Sequence, residues 1–133
     1  MKHIESILML TLLLTACNSQ ASFDERCRKE AKQQTLQLCP RKIIDGLTLD
    51  SVTYTPVGRR FSYCHTLDDS LYATDRIKEV HEKLRTDILN NIRKSVELKK
   101  YKEKKVVFQY TYIGKYSKHP VLRFTFEPKE YSK

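Results

Sequence analysis

Four cysteines, four histidines and a pair of adjacent aspartates are the groups of this 133-residue chain with chemistry to offer. Cys64 and His65 are neighbours in sequence, and a thiolate–imidazole pair would be a nucleophile. They fall, however, where Phe61, Tyr63, His65 and Leu67 alternate with Arg60, Ser62, Cys64 and Thr66. Period two predicts a strand, and successive strand side chains point to opposite faces, so the two groups cannot meet. His81 sits among helical repeats and His119 in a predicted loop, with no HExxH or CxxC spacing to gather a metal ion. Neither a G-x-S-x-G elbow nor a phosphate-cradling glycine loop is present, and no cofactor is expected. Asp68-Asp69 could work as paired carboxylates, but they stand just ahead of a helical segment, where aspartates turn and cap the chain. Tyr72, Tyr101 and Tyr116 could touch a ligand, although scattered tyrosines need no ligand to explain them.

Cys17 reads differently. Ahead of it come Met-Lys-His-Ile-Glu-Ser, an apolar run from Ile7 to Leu14, and Thr15-Ala16. A charged start, a short apolar core and a small-residue exit make a secretory signal. The run is too short for the roughly 30 Å hydrocarbon core of a bilayer. At Leu14-Thr15-Ala16-Cys17 the chain resembles the lipobox of bacterial lipoproteins; Glu5 beside Lys2 is a departure that leaves the start only weakly positive. The resemblance covers residues 1–17. It implies a signal peptide over 1–16, cleavage between Ala16 and Cys17, fatty acylation of Cys17, and a lipid-anchored tether over 17–22. In that family an aspartate after the lipidated cysteine favours the inner membrane. Asn18 in this position implies the outer membrane, on its periplasmic side.

Losing residues 1–16 leaves 117 of 133, enough for a single domain over 23–133 with one core. Lys2 and Glu5 leave together, so the mature chain keeps the formal charge of +9. That balance speaks about partners rather than fold. For an exported protein it points to anionic lipid or an acidic envelope protein, with nucleic acid ranked last.

A capping box at Ser22–Glu25 predicts a helix from Phe23 to Leu38, ended by Pro40. Leu47–Thr55 and Arg60–Leu67 predict a hairpin across the turn Pro56–Arg59. Ile77, Val80, Leu84, Ile88, Ile92 and Val96 predict a long helix from Thr74 to Lys99. Val106, Phe108, Tyr110 and Tyr112, then Leu122, Phe124 and Phe126, predict two more strands. The order α-β-β-α-β-β suggests an α+β two-layer sandwich with a four-stranded antiparallel sheet and two helices.

Short links also allow the two ends of such a domain to be followed. The pole at the Pro56–Arg59 turn should gather Arg59, Arg60, Lys99, Lys100, Lys102, Lys104, Lys105, Lys129 and Lys133, together with the tether. That pole is a candidate membrane-facing surface, the alternative being ordinary charge at helix ends. Export would permit disulfides. Cys27 and Cys39 lie about 18 Å apart along a helix, beyond the roughly 7 Å that a bridge spans. Cys39 and Cys64, both towards the opposite pole, are the better pair, although Cys64 points away from the helices. Packed free thiols are the alternative.

These readings favour a non-catalytic envelope lipoprotein that binds another macromolecule or an envelope surface. The competing reading is a small periplasmic enzyme acting on cell-wall material, with its site near Asp68–Asp69 or His119.

Overall fold

A computed structural model describes residues 21–71 and 74–132. Ala16, Cys17, most of the tether, Tyr72 and Lys133 lie outside the described residues. Helix α1 covers residues 21–38 and buries Phe23, Cys27 and Ala31, one residue at every fourth position. The chain is already helical at residue 21, so Ser22 does not cap the helix as its sequence suggests.

Five strands follow in one sheet ordered β1-β2-β3-β4-β5. They are β1 (Arg41–Ile44), β2 (Leu47–Thr55), β3 (Arg60–Leu67), β4 (Val107–Gly114) and β5 (Pro120–Phe126). Helix α2 (Thr74–Lys94) crosses from β3 to β4, followed by the short α3 (Lys99–Glu103), and α4 (Pro128–Tyr131) closes the described chain. The fold is α+β, but the expected four-stranded antiparallel sheet with two helices is corrected in three ways. A fifth strand, β1, pairs with the start of β2. Two further short helices are present. Above all, β3 and β4 run parallel, with Arg60 beside Val107 and Leu67 beside Gly114. The cause is the crossover: α2 carries the chain back to the end where β3 began, so a neighbouring strand starting there must share β3's direction.

One face of the sheet packs beneath the helices. Val52, Tyr54, Phe61, Phe108, Tyr112, Leu122, Phe124 and Phe126 are buried there, alternating with residues on the other face. That other face is open and polar, with Thr53, Ser62, Gln109 and Thr125 in register across four strands. Beyond short β1, the outer edge of β2 would present unpaired backbone groups. Thr35 of α1 closes it: its Oγ1 donates to the Val52 carbonyl at 2.8 Å and accepts the Val52 N–H at 2.9 Å.

The predicted long helix stops at Lys94, short of Lys99. Ile92 is fully buried, but Val96, 84% exposed, continues the spacing without the burial. Ser95 turns the chain by accepting the Leu98 N–H at 3.2 Å. Below it, α4 is locked by reciprocal bonds between Glu127 and Glu130 and by Arg85 of α2, which pairs with Glu130 at 2.5 Å.

Candidate functional site

At the Pro56–Arg59 end, separate stretches of chain are tied together through basic residues. The turn places Gly58 and Arg59 at positive φ. Arg59 then donates through its guanidinium to the Lys104 carbonyl at 3.0 Å, and its own carbonyl accepts Val107 N–H at 2.8 Å. Lys102 Nζ donates to the Arg93 carbonyl at 2.9 Å. Lys104 Nζ stands 5.8 Å from the centre of the Phe23 ring, in the first turns of α1. Lys100 pairs with Glu30 at 3.0 Å and Lys99 with Glu103 at 3.9 Å. The structure therefore brings Arg59, Lys99, Lys100, Lys102, Lys104 and Lys105 to one pole, with α4 and Lys129 beside them. Arg60 differs: it is half-buried at the edge of the open sheet face, its Nε enclosed without a hydrogen-bond partner among the described residues.

Above this pole an open groove of about 600 Å³ runs between α1 and the α2–α3 link. Gln33, Gln34, Gln37 and Leu38 form one wall, and Ser95, Leu98 and Lys100 the other, with Tyr63 at the base. Helical spacing puts the three amides on one side of α1. Tyr63 stacks on Tyr110 with ring centres 4.8 Å apart, and burial pushes its hydroxyl up to about 12. Leu38, the last residue of α1, is 48% exposed at the groove rim. Sequence periodicity missed this groove because its walls come from segments more than fifty residues apart.

The other candidate residues do not assemble a reaction centre. His65 and Cys64 face opposite sides of β3, as expected. His65 is buried and stacks on Tyr112 at 4.5 Å. Its Nδ1 lies 3.2 Å from the Thr111 carbonyl, an acceptor, which places the proton on that nitrogen. Burial lowers its pKa below the ordinary 6.5. Asp69 accepts the backbone N–H groups of Tyr116 and Ser117, both at 3.0 Å. Those bonds, Ser117's first, hold its carboxyl below the usual range. Gly114 permits the clamp, since a Cβ there would lie 2.3 Å from Asp69 Oδ2. Asp68 accepts from the Ser70 hydroxyl at 2.5 Å and N–H at 3.0 Å. His119 lends its carbonyl to Gly114 N–H within the same hairpin loop.

Cys27, Cys39 and Cys64 are free thiols in the structure, the alternative to a Cys39–Cys64 bridge. Arg41 lies beside Leu49, and Ser51 beside Cys64. Continuing the β1 ladder back to Cys39 would leave Ser51 between the two cysteines. Two strand spacings of about 4.8 Å exceed what a disulfide spans. Burial raises all three thiols, Cys27 to about 11, with the Asp50 carboxylate adding to the rise at Cys39 and Cys64.

Among the described residues, no cluster of His, Cys, Asp or Glu could hold a metal ion, and no helix is long and apolar enough to cross a membrane.

Two solved structures share the fold. PA3611 from Pseudomonas aeruginosa, a protein taken to be secreted, aligns with a TM-score of 0.71 at 13% identity, over 84% of this chain and 95% of its own. The pilotin EpsS of the Vibrio vulnificus type 2 secretion system aligns with a TM-score of 0.62 at 3% identity, over 85% and 94%. No curated protein matches the chain in sequence. Residues 22–122, from the first turn of α1 into β5, match one family, and the chain belongs to it: the domain of unknown function DUF8479.

Proposed function

We propose that this protein is exported, cleaved after Ala16, lipidated on Cys17, and acts as a non-catalytic accessory module of the bacterial envelope, at the outer membrane on its periplasmic side. The partner is a macromolecule that enters the groove between α1 and the α2–α3 link. The run Leu14-Thr15-Ala16-Cys17 behind a short apolar core carries this reading. It is supported by fold-mates of which one is taken to be secreted and the other belongs to a secretion system. The groove supports it too, pairing amide donors and acceptors with the exposed apolar rim of Leu38. Such a mixture suits a polar chain with an apolar anchor better than a small substrate.

A catalytic role finds less support. An attacking cysteine needs a depressed pKa, whereas Cys27, Cys39 and Cys64 are all raised. The carboxylates of Asp68 and Asp69 are occupied in bracing loops.

Two measurements test the proposal. Mass spectrometry of the mature N-terminus in a bacterial host should find acyl chains on Cys17, and Cys17→Ser should abolish them; an unmodified cysteine defeats the anchor. A photocrosslinking residue at Gln34 should trap one discrete adduct in intact envelopes, lost with Leu38→Glu. The same probe at Thr53, on the open sheet face, should trap none. Equal trapping at both positions defeats the groove.

A further inference from the structure

We propose that the basic pole rests against anionic headgroups of the membrane that carries the Cys17 lipid, fixing which way the domain stands. The proposal depends on the lipidation reading for its membrane and adds the orientation.

The charge is unevenly placed. Residues 93–105, from the end of α2 through α3 to the start of β4, carry seven Lys or Arg against two Glu, a net of +5 in a chain of +9. At the other end, residues 68–82 and the loop 115–118 that Asp69 clamps carry four basic against five acidic residues, a net of −1. The basic charge is thus concentrated at one end along the strand direction, and an anionic plane attracts that end more strongly than the other.

The tether leaves from the attractive end. Phe23 lies beneath the Lys104 ammonium, so the chain enters α1 at this pole. Only four chain steps lead from Cys17 to residue 21, and an extended chain covers at most about 3.6 Å per step. The lipid therefore cannot stand more than about 14 Å from the start of the helix, not far beyond the roughly 8 Å Debye length of physiological salt. Glu30 and Glu103 pair with Lys100 and Lys99, and Glu130 with Arg85, so the excess charge rests on the other lysines of the pole. Lys105 and Lys129 make no ion pair among the described residues, and Lys104 touches only a ring face. The local backbone is held by Arg59, which binds the Lys104 carbonyl. These lysines are displayed together, with little conformational freedom left to lose in the backbone.

The test uses the mature chain, residues 17–133 with Cys17→Ser, which contains every described element and lacks the lipid. At low salt it should sediment with phosphatidylcholine vesicles containing phosphatidylglycerol, and not with phosphatidylcholine alone. Each basic residue near an anionic surface contributes roughly fivefold in partitioning. Replacing Lys104, Lys105 and Lys129 by Gln should therefore weaken binding by well over about tenfold. The matched triple Lys32→Gln, Lys78→Gln, Lys83→Gln, with the same net charge, should bind nearly as well as the parent. Equal losses in the two triples, or equal indifference to both vesicles, overturn the orientation. Because no acyl chain takes part, a null result leaves lipidation standing, and an unlipidated Cys17 in cells leaves the charge measurement standing.

Discussion

Among single residues, His65 shows how sequence type and structural role can part. Beside Cys64 it looks like half of a catalytic pair, yet strand alternation separates the two, and burial makes the ring a packing element stacked on Tyr112. Burial has a consequence for stability. The folded chain holds the proton on His65 less tightly than an unfolded chain does, because its pKa is lowered from 6.5. Where the unfolded state binds more protons, stability rises with pH. His65 therefore costs nothing above that value, and destabilises the fold as pH falls below 6.5 towards its lowered native value. Urea midpoints should thus drop between neutral pH and about pH 5 in the parent chain. His65→Phe, which keeps a ring against Tyr112, should flatten that dependence. An unchanged pH profile in the variant would show that the lowered titration belongs to another group. The same scale explains what was legible at the site. The lysines of the pole could be read because each followed a predicted element end. The groove could not, because Gln33, Gln34 and Gln37 look like ordinary solvent-facing helix residues until Tyr63 and Leu98 are set opposite them.

At the level of elements, regular patterns were read well and interruptions poorly. The bounds of β2 and β3 follow from alternation and the Pro56–Arg59 turn, and Phe124 and Phe126 in β5 face the core as their spacing predicts. Strand β1 carried its own signal, Asp45-Gly46, a strong hairpin dipeptide with Gly46 at positive φ, but its four exposed residues show no apolar alternation. The end of α2 was hidden because Val96 keeps the helical interval after the buried face has stopped. Helix α4 is too short for any periodicity, and beside the bonds to Glu130 one buried side chain anchors it. Tyr131 is buried edge-on against Phe108 with ring centres 5.7 Å apart, and its hydroxyl donates to the Val106 carbonyl at 2.7 Å. Truncating a buried aromatic costs about 3–5 kcal/mol, whereas losing one hydrogen bond at constant shape costs about 1 kcal/mol. Tyr131→Ala should therefore destabilise the chain about three times as much as Tyr131→Phe in chemical denaturation. Similar small losses for both would mean that α4 hangs loosely from β5.

For the whole molecule, the parallel step between β3 and β4 was implicit in following the poles, since a helix that returns to the start of β3 must launch the next strand in the same direction. The resulting sheet also decides what holds the domain together. One aromatic layer under two main helices must suffice without a covalent staple, because Cys27, Cys39 and Cys64 are free thiols. Domains of this size can be stable on apolar burial alone. If that account is right, the mature Cys17→Ser chain purified from an oxidising compartment should titrate three thiols after denaturation: Cys27, Cys39 and Cys64. Its melting temperature should not move when a reductant is added. A disulfide closing the loop between Cys39 and Cys64 would constrain the unfolded chain by about 3 kcal/mol. Reduction would then lower the midpoint by more than about ten degrees, at about 4–8 °C per kcal/mol lost in a small domain. One remaining thiol and a melting temperature sensitive to reductant would require β1 and the Cys39–Pro40 segment to move across β2, and would break the register on which the open face of the sheet depends.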